Sequence, residues 1–204
     1  MFGKSTKSST VPSQAGSERS KSTVAPARQA ARERALEIKR LQEEALSKLP
    51  IGSLYIVLYL RSDPHEPNNF HWGFYFHTAI EGGTKYHIKN FGIGWITDHG
   101  QTSGVFKSNF LCVLVHIATV PQEKHAQVHQ TMKSLDSNIN SIPGISCRVW
   151  LLSILQMLIQ HGIVRSSSYT ELEQECFTIG NQHSSRAADN DQPRPVVRSR
   201  VCAI

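Results

Sequence analysis

The order of apolar segments predicts an α+β fold, in which an antiparallel sheet packs against a buried, cysteine-bearing helix. Three observations carry this expectation. β-Prone runs (residues 54–60, 71–78, 84–90 and 111–120) come first and helical patterns follow, so strands and helices are segregated along the chain. The second and third runs are joined by the short turn Glu81-Gly82-Gly83, which sets them antiparallel. Residues 147–161 are apolar almost all round (Val149, Trp150, Leu151, Ile154, Leu155, Leu158), a pattern a helix shows when its neighbours enclose it.

Taken in order, residues 1–25 are rich in Ser, Thr and Lys with no apolar period, which predicts a disordered basic tail. Ala31, Ala35, Ile38, Leu41, Ala45 and Leu49 then recur at spacings of three and four, predicting an amphipathic helix over 26–49 that Pro50 and Gly52 end. Its apolar stripe could engage a protein partner. The domain proper is expected over 50–182. Leu54-Tyr55-Ile56-Val57-Leu58-Tyr59-Leu60 is continuous and β-prone, hence a buried strand. Pro64, Pro67, Asn68 and Asn69 break the chain into a loop. Residues 71–78 carry aromatic bulk on both alternating faces, so this strand lies inside the sheet. Glycines at 92, 94, 100 and 104 mark an irregular stretch before the strand 111–120. Helices are expected from Pro121 to about Leu135, over 147–161, and over 170–180. Residues 183–204 read as a second disordered tail.

Composition narrows the function classes. The net charge of +6 is concentrated in the ends: residues 1–30 hold five Lys or Arg against one acid, and residues 181–204 hold four Arg against two Asp. Such tails are usually solvated, and no aromatic-basic motif supports nucleic-acid binding. The four cysteines form no CxxC pair, which argues against a zinc knuckle or a disulfide scaffold. No apolar run reaches the roughly 20 residues of a membrane span. An intracellular, cytoplasmic protein without cofactor or metal is expected.

Cys147 stands apart from the other cysteines. Pro143-Gly144 makes a turn, Ser146 is a good N-cap, and the thiol falls in the first turn of the most buried helix, where free N–H groups and the helix dipole favour a thiolate. A nucleophilic thiol needs a base, and His71 opens the aromatic strand His71-Trp72-Gly73-Phe74-Tyr75-Phe76. Strand, turn, strand and a later cysteine opening an apolar helix resemble the circularly permuted papain-like (NlpC-type) superfamily, nearest to its lecithin retinol acyltransferase branch. The pattern is also similar to that of uncharacterised fungal proteins. The resemblance spans roughly residues 54–165. It implies a thiol-dependent hydrolase or acyltransferase acting on an amide or ester, with His71 preceding Cys147 as the permutation requires. The branch carries Asn-Cys-Glu-His around its nucleophile where this chain has Ser146-Cys147-Arg148-Val149, so the substrate does not carry over. The same fold without catalysis, kept as a binding module, is the alternative.

A third group must orient the base. A hairpin closing on residues 79–83 sets Thr78 against Thr84 and His71 near Phe91, with Asn90 one step away and His87 roughly 13 Å along the strand. Register thus favours Asn90. The resemblance implies a histidine on this strand, His87, which a bulge in the turn would bring into range. His125 and His129 lie at i, i+4 without a third ligand or the acid of a zinc-protease helix, and read as surface residues.

Overall fold

The computed structural model describes residues 21–203. Helix α1 (Lys21–Ser47) begins five residues before the expected start; residues 1–20 of the predicted basic tail lie outside the described residues. The chain divides into two compact units, with the boundary between Glu37 and Ile38. In the first, Ala31, Ala35 and Leu36 are exposed and Gln29 donates to Glu33 at 2.8 Å along the helix. In the second, Ala45 and Leu46 pack on a buried cluster that includes Leu49 and Tyr55.

The second unit is α+β. Its strands are β1 (Ser53–Leu60), β2 (Phe70–Ala79), β3 (Gly82–Tyr86), β4 (Ile88–Asn90), β5 (Trp95–Thr97), β6 (Gly100–Thr102), β7 (Leu111–Thr119) and β8 (Val196–Arg198). Six form one sheet in the order β6-β3-β2-β1-β7-β8, antiparallel throughout except for the β7–β8 pair; β4 and β5 form a separate hairpin. Helices α2 (His125–Lys133), α3 (Cys147–Gln160) and α4 (Tyr169–Ala188) follow.

Strand alternation divides the core. Leu54, Ile56, Leu58, Trp72, Phe74 and Phe76 face α3 and α4, with Trp150 of α3 edge-on to Phe74 at 6.0 Å and Phe177 of α4 edge-on to Trp72 at 5.2 Å. Tyr55, Val57 and Tyr75 point the other way, into a second cluster with Leu49, Val105 and Phe106. Both central strands are therefore buried on both faces, as their near-continuous apolar sequences require. Ser146 caps α3, its hydroxyl accepting from the Val149 N–H at 3.1 Å.

The structure departs from the sequence-based expectation in four places. The strand expected over 84–90 is broken at His87 into β3 and β4, which belong to different sheets. The glycine-punctuated stretch contains β5 and β6. Helix α4 runs past Gly180 to Ala188; this glycine is no stop, because a Cβ there would sit 2.7 Å from the Phe70 ring, and the helix needs the gap to lie against the sheet. The C-terminal residues are ordered rather than disordered. Arg194, only 2% exposed, anchors them: its guanidinium donates to the carbonyls of Asn109 (2.8 Å), Asp191 (3.1 Å) and Arg186 (3.3 Å) and to Asn190 Oδ1 (2.9 Å). β8 then lies beside β7, and Glu175 accepts from the Ser199 hydroxyl and the Arg200 N–H. A solvated reading of these arginines fails at Arg194, which is itself buried and whose charge is held by four acceptors. Arg194→Ala removes these four hydrogen bonds to a charged group and should lower stability by about 2–4 kcal/mol. Urea unfolding measures this, and an unchanged midpoint would show that the C-terminal segment contributes nothing to the fold.

Candidate functional site

β2 and β3 begin as a tight hairpin, with Phe76 opposite Thr84 and Phe74 opposite Tyr86, and an irregularity between His77 and Ala79. The register is two residues tighter than the sequence reading assumed. Extended, it sets Gly73 opposite His87 and His71 opposite Lys89. His87 is then a diagonal neighbour of His71, within side-chain reach. Asn90 falls on the other parity; it is exposed and its side chain accepts from the Gly92 N–H at 2.7 Å. The residue against His71 is therefore His87, and the preference for Asn90 is corrected by the bulge and the tighter register.

Ladder pairing between β2 and β3 ends at Phe74–Tyr86, leaving Phe70 to Gly73 with β1 as their ladder partner. His87 fills the space over Gly73: a Cβ on Gly73 would come 3.1 Å from the His87 Cβ and 3.0 Å from the Tyr86 carbonyl. The two imidazoles meet edge to face, His71 Nε2 lying 2.9 Å from His87 Nδ1. On the far side His87 Nε2 is 2.8 Å from Asp98 Oδ2, although not aligned for a straight hydrogen bond, so this contact is chiefly electrostatic. Lys89 Nζ holds the same carboxylate oxygen at 2.5 Å. A proton on His87 Nε2 facing Asp98 makes His87 Nδ1 an acceptor. His71 then donates from Nε2 and keeps an unprotonated Nδ1, which has no hydrogen-bond partner among the described residues. Sequence reasoning missed Asp98; the signal was a carboxylate eleven residues after His87, across the β4–β5 hairpin.

Burial, reinforced by Arg61, Lys85 and Lys89, pushes the His71 pKa down to about 4. Burial, with Lys85 and His71 beside it, takes His87 down to about 3. Lys89 holds the Asp98 carboxyl below its ordinary value. At neutral pH the chain is thus neutral imidazole, neutral imidazole, carboxylate.

Cys147 is placed differently. It is 2% exposed and lies in the core layer of Trp72, Phe74 and Phe76, whereas alternation assigns His71 to the opposite face of β2, beside Tyr59. Among the described residues its sulfur makes no hydrogen bond to His71 or His87. The structure therefore brings His71, His87 and Asp98 together, and among the described residues no hydrogen bond joins Cys147 to them. Burial raises the thiols of Cys112 (to about 11), Cys176 and Cys202, so none of those three is a rival nucleophile.

The other histidines on the α3 side have structural partners. His99 accepts the His87 N–H on Nδ1 and meets Asp136 at 3.2 Å. His125 contacts the Val120 carbonyl and His129 the Tyr86 hydroxyl, both against Phe76. No cluster of three or more metal-ligating side chains occurs among the described residues. A cavity of about 370 Å³ on the Tyr55 face is lined by Leu41, His116 and Arg198 among others, and by none of the candidate residues.

Residues 52–186 match a protein family described as of unknown function (DUF6914). No curated protein and no solved structure matches the chain.

The depressed histidine values make stability depend on pH in a definite direction. Unfolded, His71 and His87 titrate near 6.5; folded, near 4 and 3. Their contribution is complete above pH 6.5 and is lost as the pH falls toward 4 and 3, because only the unfolded chain takes up protons in that window. The urea midpoint should drop between about pH 7 and about pH 4.5, and drop less in His71→Asn/His87→Asn. Parallel curves for the two proteins would overturn the assignment of buried neutral imidazoles.

Proposed function

The chain belongs to the DUF6914 family, and we propose that it is a thiol-dependent hydrolase or acyltransferase on the permuted papain-like plan, acting on an amide or ester. The observation that carries this reading is the His71–His87–Asp98 chain. A half-buried imidazole at the start of a strand is oriented by a second, which faces a carboxylate, and a lone pair on His71 Nδ1 is left to accept a proton. Cys147 supplies the nucleophile. Its position after the Ser146 cap sets it in the first turn of α3, whose amides suit an oxyanion.

In the proposed reaction His71 Nδ1 takes the thiol proton and the thiolate attacks the carbonyl carbon. The leaving amine or alcohol departs with the proton returned by His71. Water or an acceptor alcohol or amine then displaces the acyl group from sulfur, regenerating the thiol. His87 and Asp98 hold the ring of His71 and its tautomer. The reaction requires Cys147 Sγ to meet His71 at the open edge of β2, where β3 has left the ladder; thiol–imidazole contacts are often long before substrate binds.

One observation favours the alternative of a non-catalytic binding module: the thiol is buried and makes no hydrogen bond to either histidine. Hydrolysis of an activated ester and alkylation of Cys147 by an electrophilic probe separate the two. Catalysis predicts that Cys147→Ala abolishes both and that His71→Asn lowers turnover by roughly 10²–10⁴-fold. Turnover that survives Cys147→Ala sinks the proposal, and a Cys147 that alkylates only as slowly as the buried thiols assigns the fold to binding. Asp98→Asn should reduce turnover by roughly tenfold or more and move the pH profile, since the negative charge facing His87 is gone. A purely structural Asp98 would alter stability and leave the pH profile in place.

A further inference from the structure

His99 stands between β5 and β6, one residue after Asp98, and its side chain is only 8% exposed. Both ring nitrogens have partners. Nδ1 accepts the backbone N–H of His87 at 3.2 Å, and Nε2 lies 3.2 Å from Asp136 Oδ1. A ring nitrogen that accepts an N–H carries no proton, so the proton of this imidazole sits on Nε2 and is donated to the carboxylate. The ring lies against Tyr86 (centroids 5.2 Å apart) and against Trp150 of α3 (5.7 Å), one helical turn beyond Cys147. Asp136 opens the short helical segment Asp136–Ser141, which holds the chain before His99 as well: Asn140 accepts from the Trp95 N–H at 2.8 Å and donates to the Trp95 carbonyl at 2.9 Å.

The ladder between β2 and β3 ends at Tyr86, so the buried peptide groups of His87 need partners elsewhere. Asp98-His99 supplies them. The Asp98 N–H donates to the His87 carbonyl at 2.9 Å, His99 Nδ1 receives the His87 N–H, and the Asp98 carboxylate faces His87 Nε2 at 2.8 Å. We infer that His99 is a positioning residue of the proposed site: anchored by Asp136, it fixes the main chain of His87, and through His87 the ring of His71, relative to the cysteine-bearing helix α3. The inference rests on the catalytic roles proposed for Cys147 and His71. Those two groups belong to different elements, and His99 touches both the His87 main chain and α3. Without its acceptor the end of β3 loses one of its two main-chain ties, and the 2.9 Å contact between His71 and His87 is no longer held in place. Displacing a reacting group by about 1 Å costs a rate factor of about 10².

Three substitutions in the full chain separate this role from a merely structural one. His99→Leu keeps the bulk and loses both polar contacts. In His99→Asn the amide oxygen stands where Nδ1 stood and accepts the His87 N–H, whereas the longer side chain of His99→Gln reaches toward Asp136 instead. Nitrogen NMR shifts of His71 Nε2 and His87 Nδ1 report the hydrogen bond between the two rings without any turnover, and hydrolysis of the activated ester reports the site. In His99→Leu and His99→Gln both shifts are expected to move toward those of unbonded, tautomer-averaged rings, with kcat lower by roughly 10–100-fold at an unchanged KM; His99→Asn keeps the parent values of both. His99→Gln matching His99→Asn in both readouts would overturn the inference. So would a His99→Leu chain that loses stability to urea but keeps the parent shifts and kcat. A parent chain without turnover refutes the catalytic reading by itself, and the ring shifts of the three variants then decide whether His99 orders His87.

Discussion

The strict alternation of β2 is the constraint on which the rest of the molecule depends. Its even-numbered residues Trp72, Phe74 and Phe76 make the floor for α3 and α4, and its odd-numbered residues His71, Gly73, Tyr75 and His77 belong to the opposite face. A one-residue slip would exchange the two sets and force three large aromatic rings into the cluster built around Tyr55, Val57 and Tyr75, while the histidines would face α3 and α4. The same regularity that secures the fold separates the histidine from the cysteine helix. A Cys–His reaction in this architecture must occur around the edge of the strand, and the edge is open only beside Phe70 to Gly73.

That opening follows from the turn and from Gly73. The irregularity after His77 tightens the hairpin, β3 leaves the ladder after Tyr86, and the chain bends so that His87 lies over the missing Cβ of Gly73. The bend yields two things at once. It sets two imidazoles and a carboxylate in contact, and it starts the separate β4–β5 hairpin at the same point. Asp98 and Lys89 sit where these meet: one carboxylate faces His87, receives Lys89, and belongs to the residue that closes the hairpin base.

Much of the fold was legible from periodicity. Continuous apolar runs located β1, β2 and β7, and the all-round apolar pattern located α3, because burial on both faces leaves the same mark in any chain. What failed depended on contacts between distant segments. Gly180 read as a helix stop because its role, letting α4 approach Phe70, is invisible locally. Arg194 read as a solvated tail charge because its acceptors come from Asn109 and the end of α4, and nothing in the local sequence shows that they converge. Cys147 and His71 each stand out in the sequence, but sequence order cannot say which face of β2 the helix takes. His87 and Asn90 differ by parity, and parity was set by a bulge that counting from the turn could not supply.

The low pKa of His71 bears on how the proposed site would work. An isolated neutral imidazole near 4 is a weak base for a thiol, and burial together with three cations explains the value. The missing element is an anion. Two unit charges about 4 Å apart interact by about 4 kcal/mol at an effective dielectric near 20, which lifts an imidazole pKa by roughly three. A Cys147 thiolate brought to that distance would therefore return His71 to the neutral range, and the resulting imidazolium would stabilise the thiolate equally. The cations that depress His71 in the separated state would also favour the sulfur anion. The electrostatics of the edge thus disfavour charge on the histidines alone and favour it on a thiolate–imidazolium pair, so the proposed pair would become charged only when both partners are present.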